Sequence, residues 1–448
     1  MWQANRSTFW FVLSSAYFVP VCFIAYLTVR AGLILALPID QHSDSLWYYS
    51  RGISIGSGQG YYEGGIPTAY WPPGWPGFLG LLFWVFGTSA LVGQIANLVF
   101  SGIIFFLVLS VGSVIFGDQA VGRLSVLVLT ISPNQIGYIP VLGTEVFYTA
   151  LLLVAILIVI CAKRRTDLLL AGAAFGVATL TKAQTLFLPA VLFTAWWLAA
   201  AIQARRFSCL GKVAIIYATM AMVIFPWTIR NYLVFGEFIF ISTNGGGTLL
   251  SGNNPSASGD YTASDALVQQ VPNDVAGQVA NDRLATRLAL KWIYDNPVKF
   301  VILIPKKIWR LWAPDGESEW SYQAGYKSYE NFWLAFRIAR VVNQLYYICL
   351  ILLFLLSVVC FARRRRPLDT YEVTGYALVV YFTLISIVFS GQSRFHYPLM
   401  PWIAIYAGWT VTQWEGQSEV PCRLGGNTSS AFVGDTPSHV GGLRAIRL

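Results

Sequence analysis

Charge is what this chain has little of. Only 11% of its 448 residues are Asp, Glu, Lys or Arg, against 56% hydrophobic, whereas soluble domains carry about 25% charged residues. That shortage excludes an ordinary soluble domain. Histidine is scarce as well, with three in the chain and no HExxH pair, so a metalloprotease-like zinc helix has no basis. A P-loop and a GxGxxG turn are both missing, which removes support for an ATP-driven pump or a cytoplasmic nucleotide-sugar enzyme. The six cysteines, Cys22, Cys161, Cys209, Cys349, Cys360 and Cys422, fall in expected helices or on the expected inner face, and none forms a CxxC pair. Neither a disulfide framework nor a cysteine metal site is expected. The net charge of +9 is mostly arginine and lysine in short loops, and no soluble basic domain is there to bind nucleic acid.

What the chain has instead is apolar runs of about 20 residues, the length that crosses a bilayer with its backbone satisfied inside a helix. Expected spans are 9–29, 89–115, 119–140, 144–162, 167–181, 184–203, 211–227, 335–361, 371–390 and 399–414, with 76–88 as a further short helix. The opening run is too long for a signal peptide and lacks a small-residue cleavage site, so it reads as a retained helix. The basic groups at 163–165, 205–212 and 363–366 fall on one side if the chain alternates, and the positive-inside rule makes that side cytoplasmic. Both termini join it. The fold class is therefore an all-α polytopic membrane protein. Residues 1–415 form one membrane domain, 38–88 and 228–332 are outer loops, and 416–448, rich in Gly, Ser and Thr, read as a disordered cytoplasmic tail.

The outer loops hold the polar residues worth weighing. "PIDQHSDSLWYYSRG", residues 38–52, leaves the first span and at once presents Asp40, His42 and Asp44. Leu46, Tyr49 and Ile53 recur at helical spacing, which predicts a short amphipathic helix on the outer leaflet with Trp47, Tyr48 and Tyr49 at headgroup depth. Ser43 or Asp44 would cap it, and a cap is as natural a role for Asp44 as chemistry. "PTAYWPPGWPGF", residues 67–78, has three prolines that predict a stiff extended turn. Its Tyr70 and Trp71 suit an interface belt or a sugar-stacking wall. Glu145 begins a span, where it can cap the helix or work as a near-membrane acid. "STNGGGTLLSGNNPSASGDY", with Asn253 and Asn254, reads as a loop that approaches a ligand through backbone or as a plain flexible connection. Residues 275–312 read as two amphipathic helices near the membrane.

Five cations stand at one expected depth: Lys182, Arg230, Lys306, Lys307 and Arg394. Snorkelling accounts for any one of them. Together they can hold a lipid phosphate, because these side chains bind phosphate oxygens. Acids beside cations at a membrane surface suit a polyprenyl-phosphate sugar. Its phosphate would be the leaving group held by the cations, and an acid would take the acceptor's proton. Asp40, His42 and Asp44 with His396 are possible metal-ligand types, but alternate spacing does not suit one helix face, so no metal and no cofactor beyond the lipid-linked donor is expected. A polar-lipid transporter or flippase is the competing reading. Transporters of that kind show inverted repeats and broken midplane helices, which the sequence lacks. A ligase moving a whole glycan from a lipid diphosphate shares the architecture and stays open.

The residues then carry a resemblance. "DSLWYYSRGISIGSGQGY", "AYWPPGWPGFLGLLFWVFG", "ISPNQIGYIPVLGTEVFY", "LAGAAFGVATLTKAQTLFLP", "FPWTIRNYLVFGEFIFISTNGGGTLLSGNNPSASGDY" and "SRFHYPLMPW" resemble, in order, segments of the dolichyl-phosphate-mannose–protein mannosyltransferase-like and aminoarabinose-transferase-like membrane enzymes. The resemblance implies the fold called GT-C, a bundle of about 10–12 transmembrane helices with extracytoplasmic amphipathic helices and loops. It implies inverting transfer of a hexose or pentose from a polyprenyl-phosphate donor to an envelope acceptor (lipid, glycan or protein) outside an inner or plasma membrane. Asp44 falls at the family's acid position with Asp40 near it, Glu145 at the second acid, and Lys182 at a basic position. Lys182, Arg230, Lys306, Lys307 and Arg394 would bind donor phosphate. Tyr48, Tyr70, Trp71, Asn253, Asn254 and His396 would line the sugar and acceptor side. The chain departs from the pattern in spreading the first-loop acids apart and in having no large outer domain.

Overall fold

The hydropathy of the sequence translates into helices almost everywhere. The computed structural model describes residues 2–202, 209–364 and 369–416; the tail assigned from 416 onward lies almost entirely outside them. Helices α1 (Trp2–Ser14) and α2 (Phe18–Ala36) lead to α3 (Ser43–Gly56), a two-stranded hairpin of β1 (Tyr62–Glu63) and β2 (Ile66–Pro67), and α4 (Gly74–Phe86). Then come α5 (Ala90–Phe116), α6 (Gln119–Thr130), α7 (Pro133–Gly137), α8 (Glu145–Cys161), α9 (Arg165–Thr181), α10 (Leu188–Ile202) and α11 (Leu210–Phe235). A region of α12 (Gly245–Gly252), α13 (Gln278–Asp295), α14 (Pro297–Trp312) and α15 (Ser318–Gly325) precedes α16 (Trp333–Arg363), α17 (Thr374–Val388) and α18 (Met400–Gly416).

Among the described residues, six helical stretches are long and apolar enough to cross a membrane, and shorter apolar helices at Gly74–Phe86, Gln119–Thr130 and Glu145–Cys161 join them in the bundle. Helix α16 shows how one sequence sorts its faces. Tyr347, Leu350, Phe354, Ser357 and Phe361 are buried, while Leu345, Ile348, Leu352, Leu355 and Val359 are exposed. Both sets step by three and four residues, so one stripe packs on protein and the opposite apolar stripe meets lipid. Helix α18 is different. Trp402, Ile403, Ala404, Ile405, Tyr406, Ala407 and Trp409 are all buried, and it packs against α5, α6 and α16 as the central post of the bundle.

Three expected boundaries move, each for a local reason. The first run is two helices, because the chain breaks after Ser14 and Arg123 Nη1 donates to the freed carbonyls of Leu13 and Ser15. The expected span 119–140 stops at Thr130, since Ser132 precedes Pro133 and is disfavoured from helix. The proline segment is not wholly extended: α4 starts at Gly74, and Pro76 sits in its first turn, where a missing N–H costs no helical bond. The cap of α3 also shifts. His42 is the N-cap, its N–H donates to Ser45 Oγ at 3.2 Å, and Ser43 and Asp44 already lie in the first turn. The Gly/Asn/Ser segment folds as well, for α12 occupies its middle and packs on α13.

Candidate active site

Two acid–cation pairs meet at one end of the bundle. Asp44, in the first turn of α3, faces Arg394 in the tight turn Ser393–Leu399 between α17 and α18, with Arg394 Nη1 2.5 Å from Asp44 Oδ2. Glu145, the first residue of α8, accepts from Lys182 Nζ at 3.1 Å, and Lys182 terminates α9. The ring of Phe395 joins the pairs: Lys182 Nζ lies 6.0 Å and the Arg394 guanidinium carbon 5.5 Å from its centre. The pairs differ in access. The Asp44 and Arg394 side chains are 29% and 33% exposed, Glu145 and Lys182 only 8% and 16%, so the first pair is at the mouth and the second behind it.

Arg394 is held by a third acid. Glu317, just before α15, accepts from the Arg394 backbone N–H at 2.6 Å and from Ser393 Oγ at 2.9 Å. Burial alone would lower the Arg394 pKa, but Asp44, Glu145 and Glu317 together raise it above the usual guanidinium value, so Arg394 is a permanent cation. Behind it, the same two segments are clamped again. His396 Nε2 meets Asp315 Oδ1 at 3.1 Å, and its Nδ1 sits on Leu311 O at 2.6 Å. The ring is fully buried and stacks 9° and 13° from parallel with Trp312 and Tyr347. Asp315 also accepts from Asn134 and Asn343 amides. His396 therefore stands inside this network, beneath the mouth.

The other expected residues are distributed unevenly. Asp40 is exposed, 3.6 Å from Lys327 and apart from the two pairs. Arg230 is committed to backbone, donating to Thr68 O at 2.8 Å and Tyr61 O at 3.1 Å while lying over Trp227; it pins the hairpin region. Lys307 is buried and donates to Asn253 Oδ1 at 2.8 Å and Ile387 O at 2.9 Å. Asn253 itself donates to Leu249 O and Val388 O. Asn254 is buried on Leu250 O and Ser251 O. Lys306 is exposed beside them. Tyr48, Tyr70 and Trp71 do come together: Trp71 lies 5.0 Å from Tyr48 and 5.4 Å from Tyr70, ring centre to ring centre, with Trp47 closing the group at 5.0 Å. Tyr48 sits where it feels both Asp44 and Glu145.

Sequence reasoning missed Glu317, Asp315 and Arg30. The acidic run of "APDGES" directly after an amphipathic helix was the available signal for the first two. Arg30, fully buried in α2, donates to Leu129 O at 2.9 Å and stacks on Tyr26, capping the last carbonyls of α6. Gly52-Ile53-Ser54-Ile55-Gly56 spells the GxSxG string of hydrolase nucleophile turns. Here it lies inside α3, and Ser54 Oγ donates to Gly60 O at 2.8 Å. Among the described residues no group of three His, Cys, Asp or Glu side chains is gathered as a metal site.

Residues 71–229 match the family described as dolichyl-phosphate-mannose-protein mannosyltransferase. Among curated proteins none matches the sequence. Solved structures do match in fold. An oligosaccharyltransferase of Archaeoglobus fulgidus, crystallised with Zn and sulfate, superposes with a TM-score of 0.54 at 14% identity, over 90% of this chain and 49% of its own. The oligosaccharyltransferase AglB of the same organism, with an inhibitory peptide and a dolichol-phosphate, gives 0.55 at 11%, over 93% and 53%. ArnT of Cupriavidus metallidurans, bound to undecaprenyl phosphate, gives 0.43 at 12%, over 91% and 80%. The chain spans about half the length of the two oligosaccharyltransferase structures. It is a polytopic membrane protein with the GT-C glycosyltransferase fold, and its residues 71–229 match the mannosyltransferase family.

Proposed function

We propose that this chain is a membrane glycosyltransferase that moves one sugar from a polyprenyl-phosphate donor to an extracytoplasmic acceptor hydroxyl, with inversion. The observation that carries the reading is the pairing of Asp44 with Arg394 and Glu145 with Lys182 around one ring, at one end of a lipid-facing bundle. A lipid phosphate needs cations at headgroup depth, and a displacement needs a carboxylate beside them. The dolichol-phosphate in the Archaeoglobus structure supports a lipid-phosphate ligand for this fold.

In this reading Asp44 is the base. It takes the proton of the acceptor hydroxyl as the oxygen attacks the anomeric carbon. The bond from that carbon to the phosphate oxygen breaks on the opposite face, and the electron pair leaves with the phosphate. Arg394 and Lys182 stabilise the charge that grows there. Asp44 is favoured over Asp40 because Asp40 pairs with exposed Lys327, outside the cluster. Glu317 and the Asp315–His396 contact position Arg394 without touching the reactants. Tyr48, Tyr70 and Trp71 form the wall against which a sugar would stack. The sugar moved is a hexose or pentose, and the acceptor is an envelope molecule outside an inner or plasma membrane.

The basic turn of Lys163, Arg164 and Arg165 follows α8 at the end opposite Glu145, about 25 Å away for 17 helical residues. Positive residues on the cytoplasmic side would place the acid–cation cluster outside it. The test is mass spectrometry of envelope glycolipids and glycoproteins from cells with and without the gene, with Asp44→Asn as the rescue control. One sugar lost from one acceptor, restored by wild type and not by the variant, supports the transferase. An unchanged envelope, or full rescue by the variant, overturns it.

A further inference from the structure

Helix α14 carries three cations that the acid–cation pairs leave out. Lys299, Lys306 and Arg310 are exposed, and none of them makes an ion pair or a side-chain hydrogen bond among the described residues. The helix, PVKFVILIPKKIWRLW, contains no acid of its own. Steps of seven and eleven residues return to within about 20° of the starting direction on an α-helix, so the three cations share one edge. Val298, Ile302 and Trp309 are exposed as well, with Val301 beside them. They form an apolar stripe about a quarter turn from the cations. Leu303, Lys307 and Leu311, on the remaining side, are buried and hold the helix to the protein.

The depth of α14 is fixed by α17, which belongs to a stretch of spanning length and exposes Leu384 and Val388. Lys307 Nζ donates to Ile387 O at 2.9 Å in the last turn of α17. Trp312 Nε1 donates to Thr383 Oγ1 at 3.0 Å one turn earlier. A span meets the headgroups where its apolar run ends, so Lys306 and Arg310, on the turns that make this contact, stand at phosphate depth. Trp309 between them suits the same layer. An apolar stripe edged by cations binds a leaflet through buried area and charge together. The charge then selects the headgroup. A choline headgroup brings its own cation to each phosphate, whereas a glycerol headgroup leaves the negative charge for the protein. With three unpaired cations and no acid, α14 fits the second.

We propose that α14 is a binding surface for anionic phospholipid, with Lys299, Lys306 and Arg310 on headgroup phosphates and the Val298–Trp309 stripe in the acyl chains. Such binding does not depend on sugar transfer. The experiment uses the full-length protein in phosphatidylcholine nanodiscs carrying a trace of photoactivatable phosphatidylglycerol or photoactivatable phosphatidylcholine. After illumination, mass spectrometry maps the labelled residues. Label on residues 297–312 is expected to be about tenfold higher with the glycerol lipid, in keeping with the pull of surface cations on anionic lipid. The triple variant Lys299→Gln, Lys306→Gln, Arg310→Gln should remove that excess, and Lys306→Gln alone should remove part of it. A control with Lys163, Arg164 and Arg165 changed to glutamine should keep it. Equal labelling by the two lipids, or an excess unchanged in the triple variant, overturns the proposal. So does a disulfide between two copies of Trp309→Cys that shuts out both lipids, which would give the face to a second copy of this chain. Displacement of the label by undecaprenyl phosphate, and not by unlabelled phosphatidylglycerol, would assign the cations to the donor and overturn it too. Glycerol-lipid labelling with an unchanged envelope would uphold the surface while the transferase reading fell.

Discussion

At the scale of the residue, the site is a problem in competition between anions. Arg394 is bonded to the carboxylate proposed above as the base, and a donor phosphate would have to share or take that cation. Asp44→Asn should therefore do two things at once. Turnover should fall about 10²- to 10⁴-fold, the usual worth of a general base. Affinity for polyprenyl phosphate should rise about tenfold, or ~1.4 kcal/mol, because Arg394 is freed; Arg394→Ala should weaken the same binding. Native mass spectrometry or calorimetry of the detergent-solubilised protein measures both, and a loss of phosphate binding in Asp44→Asn would contradict the exchange. The inner pair behaves differently because it is more buried. Breaking it with Lys182→Met leaves buried Glu145 with Arg394 as its remaining cation and should cost up to about 3 kcal/mol. Glu145→Gln with Lys182→Met should recover much of that stability in a thermal melt without recovering donor binding.

At the scale of the element, the helices between α11 and α18 are joined where backbones touch. Helix α12 ends at Gly252, where a Cβ would come within 1.9 Å of Phe389 O, and a Cβ on Gly391 would come within 2.0 Å of Lys307 O. Lys307 crosses this junction, tying α14 to Asn253 and to the end of α17. Gly391→Ala should destabilise by at least ~1–3 kcal/mol, seen as a lower melting temperature in detergent. Lys307→Met strips donors from two buried oxygens and should cost about 1–3 kcal/mol. Burial also pushes the Lys307 pKa down from 10.5 to about 8. Above that value the folded chain has shed the proton while the unfolded chain keeps it until about 10.5. The unfolded state then binds more protons, and stability rises with pH across this window. Melting curves between these two pH values should show that rise in wild type and a flatter dependence in Lys307→Met.

At the scale of the whole molecule, the sequence was readable wherever one residue's own chemistry decided its place. Apolar runs became helices because lipid leaves the backbone no other partner, and Glu145 and Lys182 could be set at helix ends from their neighbours alone. Pairing was not readable. Asp44 and Arg394 are 350 positions apart, and nothing local marks Arg394 as a partner rather than a snorkelling cation. The same blindness hid that Arg230, Asn253 and Lys307 spend their polar atoms on protein oxygens. Orientation is a further global property, and it rests on the loop charges. If the acid–cation cluster faces outward, single cysteines placed at Ser57, beyond α3, and at Thr166, in the first turn of α9 beside the basic residues, must lie on opposite sides. In a cysteine-depleted background, a membrane-impermeant maleimide on intact spheroplasts should label Ser57→Cys and spare Thr166→Cys until the membrane is opened. The reverse pattern would put Asp44 on the cytoplasmic side, where an extracytoplasmic acceptor cannot reach it, and the proposed reaction would fail with the topology.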